Sequence, residues 1–217
     1  MVAANSTLPQ KEFKAPLRAV PKYFPEIRPD ELAAMKAFLA LSGRLEVELG
    51  CGKARFLLAR AKENPAVRFF GIDRVAKWMN IGKKRSQKQG VANLCFVKAD
   101  AFEILEGHLA PGSVDCFHIY FPDPWPKRRH QKRRFVNGRM LANLHRALVP
   151  GGSVFFASDD ENYAGSVREM AEQNGPFWKI RTGINERLNP GLVAKTNYEI
   201  KYEKVGRKIF YLELVKA

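Results

Sequence analysis

Three acids stand where short apolar runs end. Glu48 lies in Glu48-Leu49-Gly50-Cys51-Gly52, Asp73 closes Phe70-Gly71-Ile72-Asp73, and Asp100 sits in Ala99-Asp100-Ala101. Glycines at the end of a strand let the backbone pass close to a ligand at the start of the next helix. The dinucleotide pattern G-x-G-x-x-G fails, because Arg55 occupies the third glycine position. A carboxylate at Glu48, two residues before the first glycine, would repel a pyrophosphate. It suits a cationic cofactor instead, one carrying a sulfonium and an α-ammonium as S-adenosylmethionine does. Asp73 is placed for hydrogen bonds to ribose hydroxyls, and Asp100 for an adenine amine. Taken singly, each acid reads equally well as a helix N-cap. Three at successive run ends match the edge where open α/β sheets bind ligands.

A fourth run ends in Phe121-Pro122-Asp123-Pro124-Trp125-Pro126, where prolines stiffen the backbone around an acid and an aromatic. Lys127, Arg128, Arg129, Lys132, Arg133 and Arg134 follow, with His130 among them. A basic run beside an aromatic is an RNA-binding element, and all six cations are expected to contact phosphate or base. The whole chain agrees in sign. Its 37 Lys+Arg exceed its 22 Asp+Glu, a formal charge of +15, which points to a polyanionic partner.

The elements that must position these residues follow from periodicity. A short helix opens at Pro29-Asp30-Glu31 and runs to about Leu41. Strands are predicted at Leu45 to Leu49, Val67 to Ile72, Leu94 to Lys98, Val114 to Phe121 and Ser153 to Ser158. Helices are predicted at about 54 to 63, 75 to 89, 134 to 148 and 161 to 173, with a short one after Asp100. Pro122 to about Lys132 reads as a loop, and 177 to 217 as strand-rich, with alternation from Lys208 to Val215. Strands alternating with helices imply a parallel sheet with helices on both faces. Five prolines within residues 1–30 block regular structure, so the expected division is an irregular basic arm over 1–30 and one domain over 31–217.

Composition narrows the class. With 217 residues, 46% hydrophobic and 27% charged, the chain is neither disordered throughout nor fibrous. No stretch approaches 18 apolar residues, so no membrane span is expected, and Met1 to Gln10 lacks the apolar core of a secretory signal. Three widely spaced cysteines, Cys51, Cys95 and Cys116, argue against a disulfide framework or zinc site and for a reducing cytoplasm.

The chain resembles the bacterial tRNA (guanine-N(7)-)-methyltransferases from about Glu46 to its end. The resemblance rests on Glu48-Leu49-Gly50-Cys51-Gly52, Phe70-Gly71-Ile72-Asp73, Phe121-Pro122-Asp123-Pro124-Trp125-Pro126-Lys127, Ser158-Asp159 and Thr196-Asn197-Tyr198-Glu199. It implies a class I S-adenosylmethionine-dependent methyltransferase fold: Rossmann-like α/β with a seven-stranded, mostly parallel sheet. It also implies methyl transfer from S-adenosylmethionine to guanine N7 of tRNA, usually at the variable-loop position forty-six. A cytoplasmic monomer or homodimer without metal is expected. By the same resemblance, Glu48, Gly50, Gly52, Asp73, Asp100 and Asp123 bind cofactor, and Asp123 is the active-site acid. Lys127, Asp159, Thr196, Asn197, Tyr198 and Glu199 match substrate-binding positions. The family often has glutamate where Asp73 stands and glycine where Ala54 stands. Two other readings stay open: an adenine amino-methyltransferase, whose Asn/Asp-Pro-Pro-aromatic motif is only partly matched, and a non-catalytic RNA-binding protein on the same fold.

Overall fold

Burial of alternating apolar residues builds one sheet with two covered faces. The computed structural model describes residues 27–189 and 191–217; most of the expected N-terminal arm lies outside them. The strands are β1 (Leu45–Leu49), β2 (Arg68–Asp73), β3 (Leu94–Lys98), β4 (Val114–Tyr120), β5 (Leu148–Ser158), β6 (Trp178–Ile184) and β7 (Phe210–Lys216). The helices are α1 (Pro29–Leu39), α2 (Arg55–Glu63), α3 (Ala76–Lys88), α4 (Ala101–Gly107), α5 (Gly138–Ala147), α6 (Glu161–Glu172) and α7 (Asn197–Lys204). The described strands form a seven-stranded sheet in the order β3-β2-β1-β4-β5-β7-β6. β7 is the one reversed strand of this sheet, antiparallel to both β5 and β6.

One face carries Val47, Leu49, Phe70, Ile72, Phe117, Ile119, Val154 and Leu214, packed with residues of α4, α5 and α6. The other carries α2 and α3, through Leu57, Leu58, Phe69, Met79 and Phe96. That second face is also where Phe56, Cys116, Phe155, Leu192 and Ala194 cluster, so the chain between β6 and α7 straps across it. A Cβ at Gly71 would sit 2.7 Å from Phe96 and 2.9 Å from Leu57, so only glycine admits the close approach of α2 and β3 there. Chain order reverses between β1 and β4, which makes their carboxyl ends the crevice where such sheets bind ligands.

Several boundaries differ from expectation. The helix expected from about 134 starts at Gly138, where the Asn137 side chain accepts the Met140 N–H at 3.0 Å. The basic loop holds a 3-10 turn over Arg128–Arg133. The strand expected from Ser153 begins at Leu148, which pairs with Val114 across an irregular register. The segment 177–217 is not strand-rich throughout: α7 interrupts it. Nor does β7 alternate. Tyr211, Leu212, Glu213 and Leu214 are all buried, because β7 lies inside the sheet between β5 and β6. The three cysteines are free, and no cluster of His, Cys, Asp or Glu fit to hold a metal occurs among the described residues. No described helix is long and apolar enough to cross a membrane.

Candidate active site

At the end of β1 the chain turns through Gly50 (φ +81°) and Gly52 (φ +52°), conformations that glycine adopts without steric penalty. The Gly50 and Cys51 N–H groups donate to the Ile72 carbonyl at 2.8 and 3.1 Å, tying the turn to β2. Asp73 accepts from the Gly52 N–H through Oδ2 at 2.7 Å and from the Val75 N–H through Oδ1 at 2.8 Å. It therefore sits against the glycine turn rather than capping α3, whose N-cap is Val75. Ala54, the N-cap of α2, is left-handed (φ +55°), a conformation that glycine adopts at less cost. Asp100 does cap α4, accepting from the Phe102 N–H at 2.9 Å, and its other oxygen lies 4.0 Å from the Arg74 guanidinium.

Glu48 is the electrostatic anomaly. It is 4% exposed, and its Oε2 has no hydrogen-bond partner among the described residues. Burial, reinforced by the neighbouring Asp73 and Glu199 carboxylates, pushes its pKa well above the ordinary glutamate range. A buried acceptor left unpaired costs about 1–3 kcal/mol, more if charged. A cationic ligand at this edge removes both penalties, so the residues fit a cofactor bearing an ammonium.

Beneath Glu48 runs a buried polar chain that the sequence reading missed. Arg60 clasps Glu46 at 2.9 and 3.1 Å, Glu46 meets His118 Nε2 at 3.1 Å, and His118 Nδ1 meets the Tyr120 hydroxyl at 3.0 Å. Burial favours neutral His118 despite the adjacent Glu46. Burial opposes charge on Glu46 too, but His118 and Arg60 outweigh it and hold that carboxyl below its ordinary value. The chain braces β1 against β4, whose ends carry Glu48 and the Pro-Asp-Pro loop.

That loop is bracketed by two non-glycine residues in the left-handed region, Phe121 (φ +52°) and Trp125 (φ +45°). Such backbone costs about 1–3 kcal/mol per residue and persists only where surroundings enforce it. Asp123 is exposed at the apex and makes no hydrogen bond or ion pair among the described residues. Arg134 fastens the Trp125 end of the loop through the Pro124 carbonyl, and this corrects its expected place among the RNA contacts. It is 7% exposed, its guanidinium donating to the Pro124 carbonyl at 3.0 Å, Ser166 Oγ at 3.0 Å and Asn162 Oδ1 at 2.9 Å. It also lies 4.7 Å over the Tyr163 ring. Lys127, Arg128, Arg129, Lys132 and Arg133 are exposed, and Arg133 covers the Trp125 ring at 5.0 Å. Arg134→Lys should therefore lower kcat about tenfold, less than the ~10²-fold that a full 1 Å displacement of a reacting group costs. A lysine cannot bridge all three partners. The salt dependence of RNA binding should not move; a change there with kcat intact would restore Arg134 to the RNA-contact set.

The late Thr196-Asn197-Tyr198-Glu199 segment opens α7 by a capping box. Thr196 Oγ1 accepts the Glu199 N–H at 3.1 Å, and Glu199 accepts the Thr196 N–H at 2.7 Å. The S/T-x-x-E spacing is legible in the sequence and is the signal by which this helix, missed in the strand-rich reading of 177–217, could be found. Glu199 is fully buried. It accepts from Arg187 at 2.8 and 2.6 Å and from the Tyr211 hydroxyl at 3.0 Å, so its carboxylate faces inward, toward Glu48's side of the crevice. Arg187, which no motif marked, also donates to the Leu192 carbonyl and pins the strap. Asn197 and Tyr198 are exposed, and the Tyr198 ring lies 5.7 Å from Phe121, which brings this segment to the Pro-Asp-Pro loop. Asp159 follows β5 and pairs with Arg207, which covers the Tyr202 ring at 5.0 Å. The structure thus gathers Glu48, Gly50, Gly52, Asp73 and Asp100 along one sheet edge, with Asp123, Lys127 and Asp159 on the loops above it and Asn197–Tyr198 at the start of α7.

Comparison with known proteins agrees with this geometry. Residues 42–212 match a family described as "Putative methyltransferase". The chain is 35% identical over 176 residues to a tRNA (guanine-N(7)-)-methyltransferase of Rhizobium johnstonii, covering 80% of this chain and 75% of that one. It is 32% identical over 174 residues to one from Rubrobacter xylanophilus, covering 79% and 76%. Among solved structures, a SAM dependent methyltransferase from Aquifex aeolicus superposes with a TM-score of 0.55 at 17% identity, over 87% of this chain and 90% of that one, a likeness of fold. The glycine turn, the three strand-end acids and the Pro-Asp-Pro loop thus stand in a chain that belongs to the tRNA (guanine-N(7)-)-methyltransferase family.

Proposed function

We propose that this chain transfers a methyl group from S-adenosylmethionine to N7 of a guanine in tRNA, at the variable-loop position forty-six. The observation that carries the reading is a pair of unpartnered carboxylates at adjacent strand ends: buried Glu48 near the end of β1 and exposed Asp123 in the loop after β4. S-adenosylmethionine supplies an electrophilic methyl on a sulfonium. Glu48 would hold its ammonium, Gly50 and Gly52 would leave the turn open to it, Asp73 would take ribose hydroxyls and Asp100 the adenine amine. Guanine N7 presents an in-plane lone pair and no hydrogen, so no residue has to remove a proton from the nucleophile. The work left to the chain is alignment and electrostatic support. Asp123 orients the base and touches the cofactor side. Lys127, Asp159, Thr196, Asn197 and Tyr198 hold the tRNA, with Glu199 setting the shape of that segment from inside. The sparse, widely spaced cysteines suit work in a reducing cytoplasm.

The test is methyl transfer to unmodified total tRNA, followed by nucleoside analysis and mapping of the methylated residue. N7-methylguanosine at position forty-six is the expected product. Methyl on adenine N6 would move the protein to the amino-methyltransferases, and no turnover would make it a binding protein.

A further inference from the structure

The basic loop after β4 carries only part of the positive charge. On the face covered by α2 and α3, a groove of about 350 Å³ runs between the two helices, lined by Arg55, Leu58, Ala59, Lys62, Arg85 and Gln89. Arg55, Lys62 and Arg85 are exposed and form no ion pair among the described residues. Arg85 does reach the Lys53 carbonyl at 3.5 Å, which sets it over the mouth of α2. α3 holds five cations and no acid. One of them, Lys83, is neutralised by Glu31 at 2.7 Å; exposed Lys84 and Lys88, one turn apart, face no acid among the described residues. Like charges at that spacing repel and destabilise a helix. An ordinary solvated helix face intersperses acids, as α6 does with Arg168 and Glu172. Around the groove itself Arg55, Lys62 and Arg85 likewise have no ion-pair partner among the described residues, and an external polyanion would supply one.

We infer that the α2–α3 groove is a second docking surface for the sugar-phosphate backbone of the tRNA, separate from the basic loop after β4. The inference rests on the tRNA reading above and extends its footprint. α2 starts directly after the Gly50–Gly52 turn, so the Arg55 end opens at the crevice, while Lys62 lies seven residues on, about 10 Å farther along the axis. The two basic zones therefore flank the crevice on different sides. Charge complementarity selects an anion, and the missing apolar rim selects RNA over a lipid surface. None of the strongly exposed large apolar side chains among the described residues stands within α2 or α3, whereas interfacial helices carry an apolar face.

The experiment uses the full chain with Arg55→Gln, Lys62→Gln and Arg85→Gln combined, all at exposed positions. A control combines Lys36→Gln, Arg168→Gln and Lys179→Gln, which removes the same charge elsewhere. Full-length tRNA affinity is measured by filter binding across salt, without turnover. Three lost phosphate contacts should flatten the slope of log affinity against log salt by about 2 to 3. Between about 50 and 200 mM salt, wild type should then lose about 20- to 60-fold more affinity than the groove variant. S-adenosylmethionine affinity should match wild type in both variants. A stem-loop too short to reach the groove should bind the groove variant and wild type equally. A groove-variant slope equal to wild type or to the control overturns the inference. So does loss of binding to phosphatidylglycerol vesicles while the tRNA slope holds, which would make the face a membrane contact. Failure of the functional reading shows separately, as absence of N7-methylguanosine in tRNA treated with wild-type protein.

Discussion

Asp123→Asn should lower kcat by about 10² to 10³ while tRNA binding survives, by analogy with deleted transition-state contacts. The reaction moves positive charge from the sulfonium onto the purine, since N7-methylguanine is a cation. A carboxylate beside the purine stabilises that arriving charge more than it stabilises the neutral base, which is differential binding of the transition state. The structure supplies the conditions. Asp123 is exposed and free of any hydrogen bond or ion pair among the described residues, so its acceptors are available to the guanine N1–H and exocyclic amine. Pro122 and Pro124 restrict the backbone on either side, Phe121 and Trp125 hold left-handed conformations, and Arg134 fastens the Pro124 carbonyl. Asparagine keeps the shape but removes the charge and replaces one acceptor with a donor. Single-turnover rates at saturating tRNA and cofactor decide the matter. A variant within a few-fold of wild type would remove Asp123 from the mechanism.

Glu48→Gln should weaken S-adenosylmethionine binding by roughly 1.5–3 kcal/mol, about 10- to 150-fold, through loss of a charge-assisted contact. The same substitution should stabilise the free protein at neutral to alkaline pH. Glu48 has a folded-state pKa raised by burial and by Asp73 and Glu199. The folded chain thus binds more protons than the unfolded chain above the ordinary glutamate value of about 4.3. Its contribution to stability is full below that value and is lost as pH rises through the raised one. Glutamine abolishes this pH dependence. A cationic ligand returns Glu48 to its charged form, so cofactor binding in that window should release a proton. Calorimetry in two buffers of different ionisation enthalpy reads the release directly. Equal proton release in wild type and Glu48→Gln would show that Glu48 does not face the ammonium.

The strand-end acids, the glycine turn and the stiffened loop were legible in sequence because each depends on local rules. Apolar runs of five to seven residues become strands, glycine takes positive φ, and proline fixes its own backbone angle. Those rules place Glu48, Asp73, Asp100 and Asp123 at strand ends without reference to anything distant. Which way a side chain faces is not local. Arg134 and Arg133 are neighbours in one basic run, yet Arg133 covers an exposed indole while Arg134 is buried under α6, because Ser166 and Asn162 wait there some thirty residues away. Glu199 stands in a motif that promised a substrate contact, and Arg187 and Tyr211 turn it inward. α7 hid behind the β-forming tyrosines and isoleucine of Asn197–Lys204, although its capping box was written in the sequence. Composition and motifs therefore determined the chemistry at the sheet edge. Only tertiary packing decided which cations meet solvent, because burial and hydrogen-bond partners come from elements far apart in the chain.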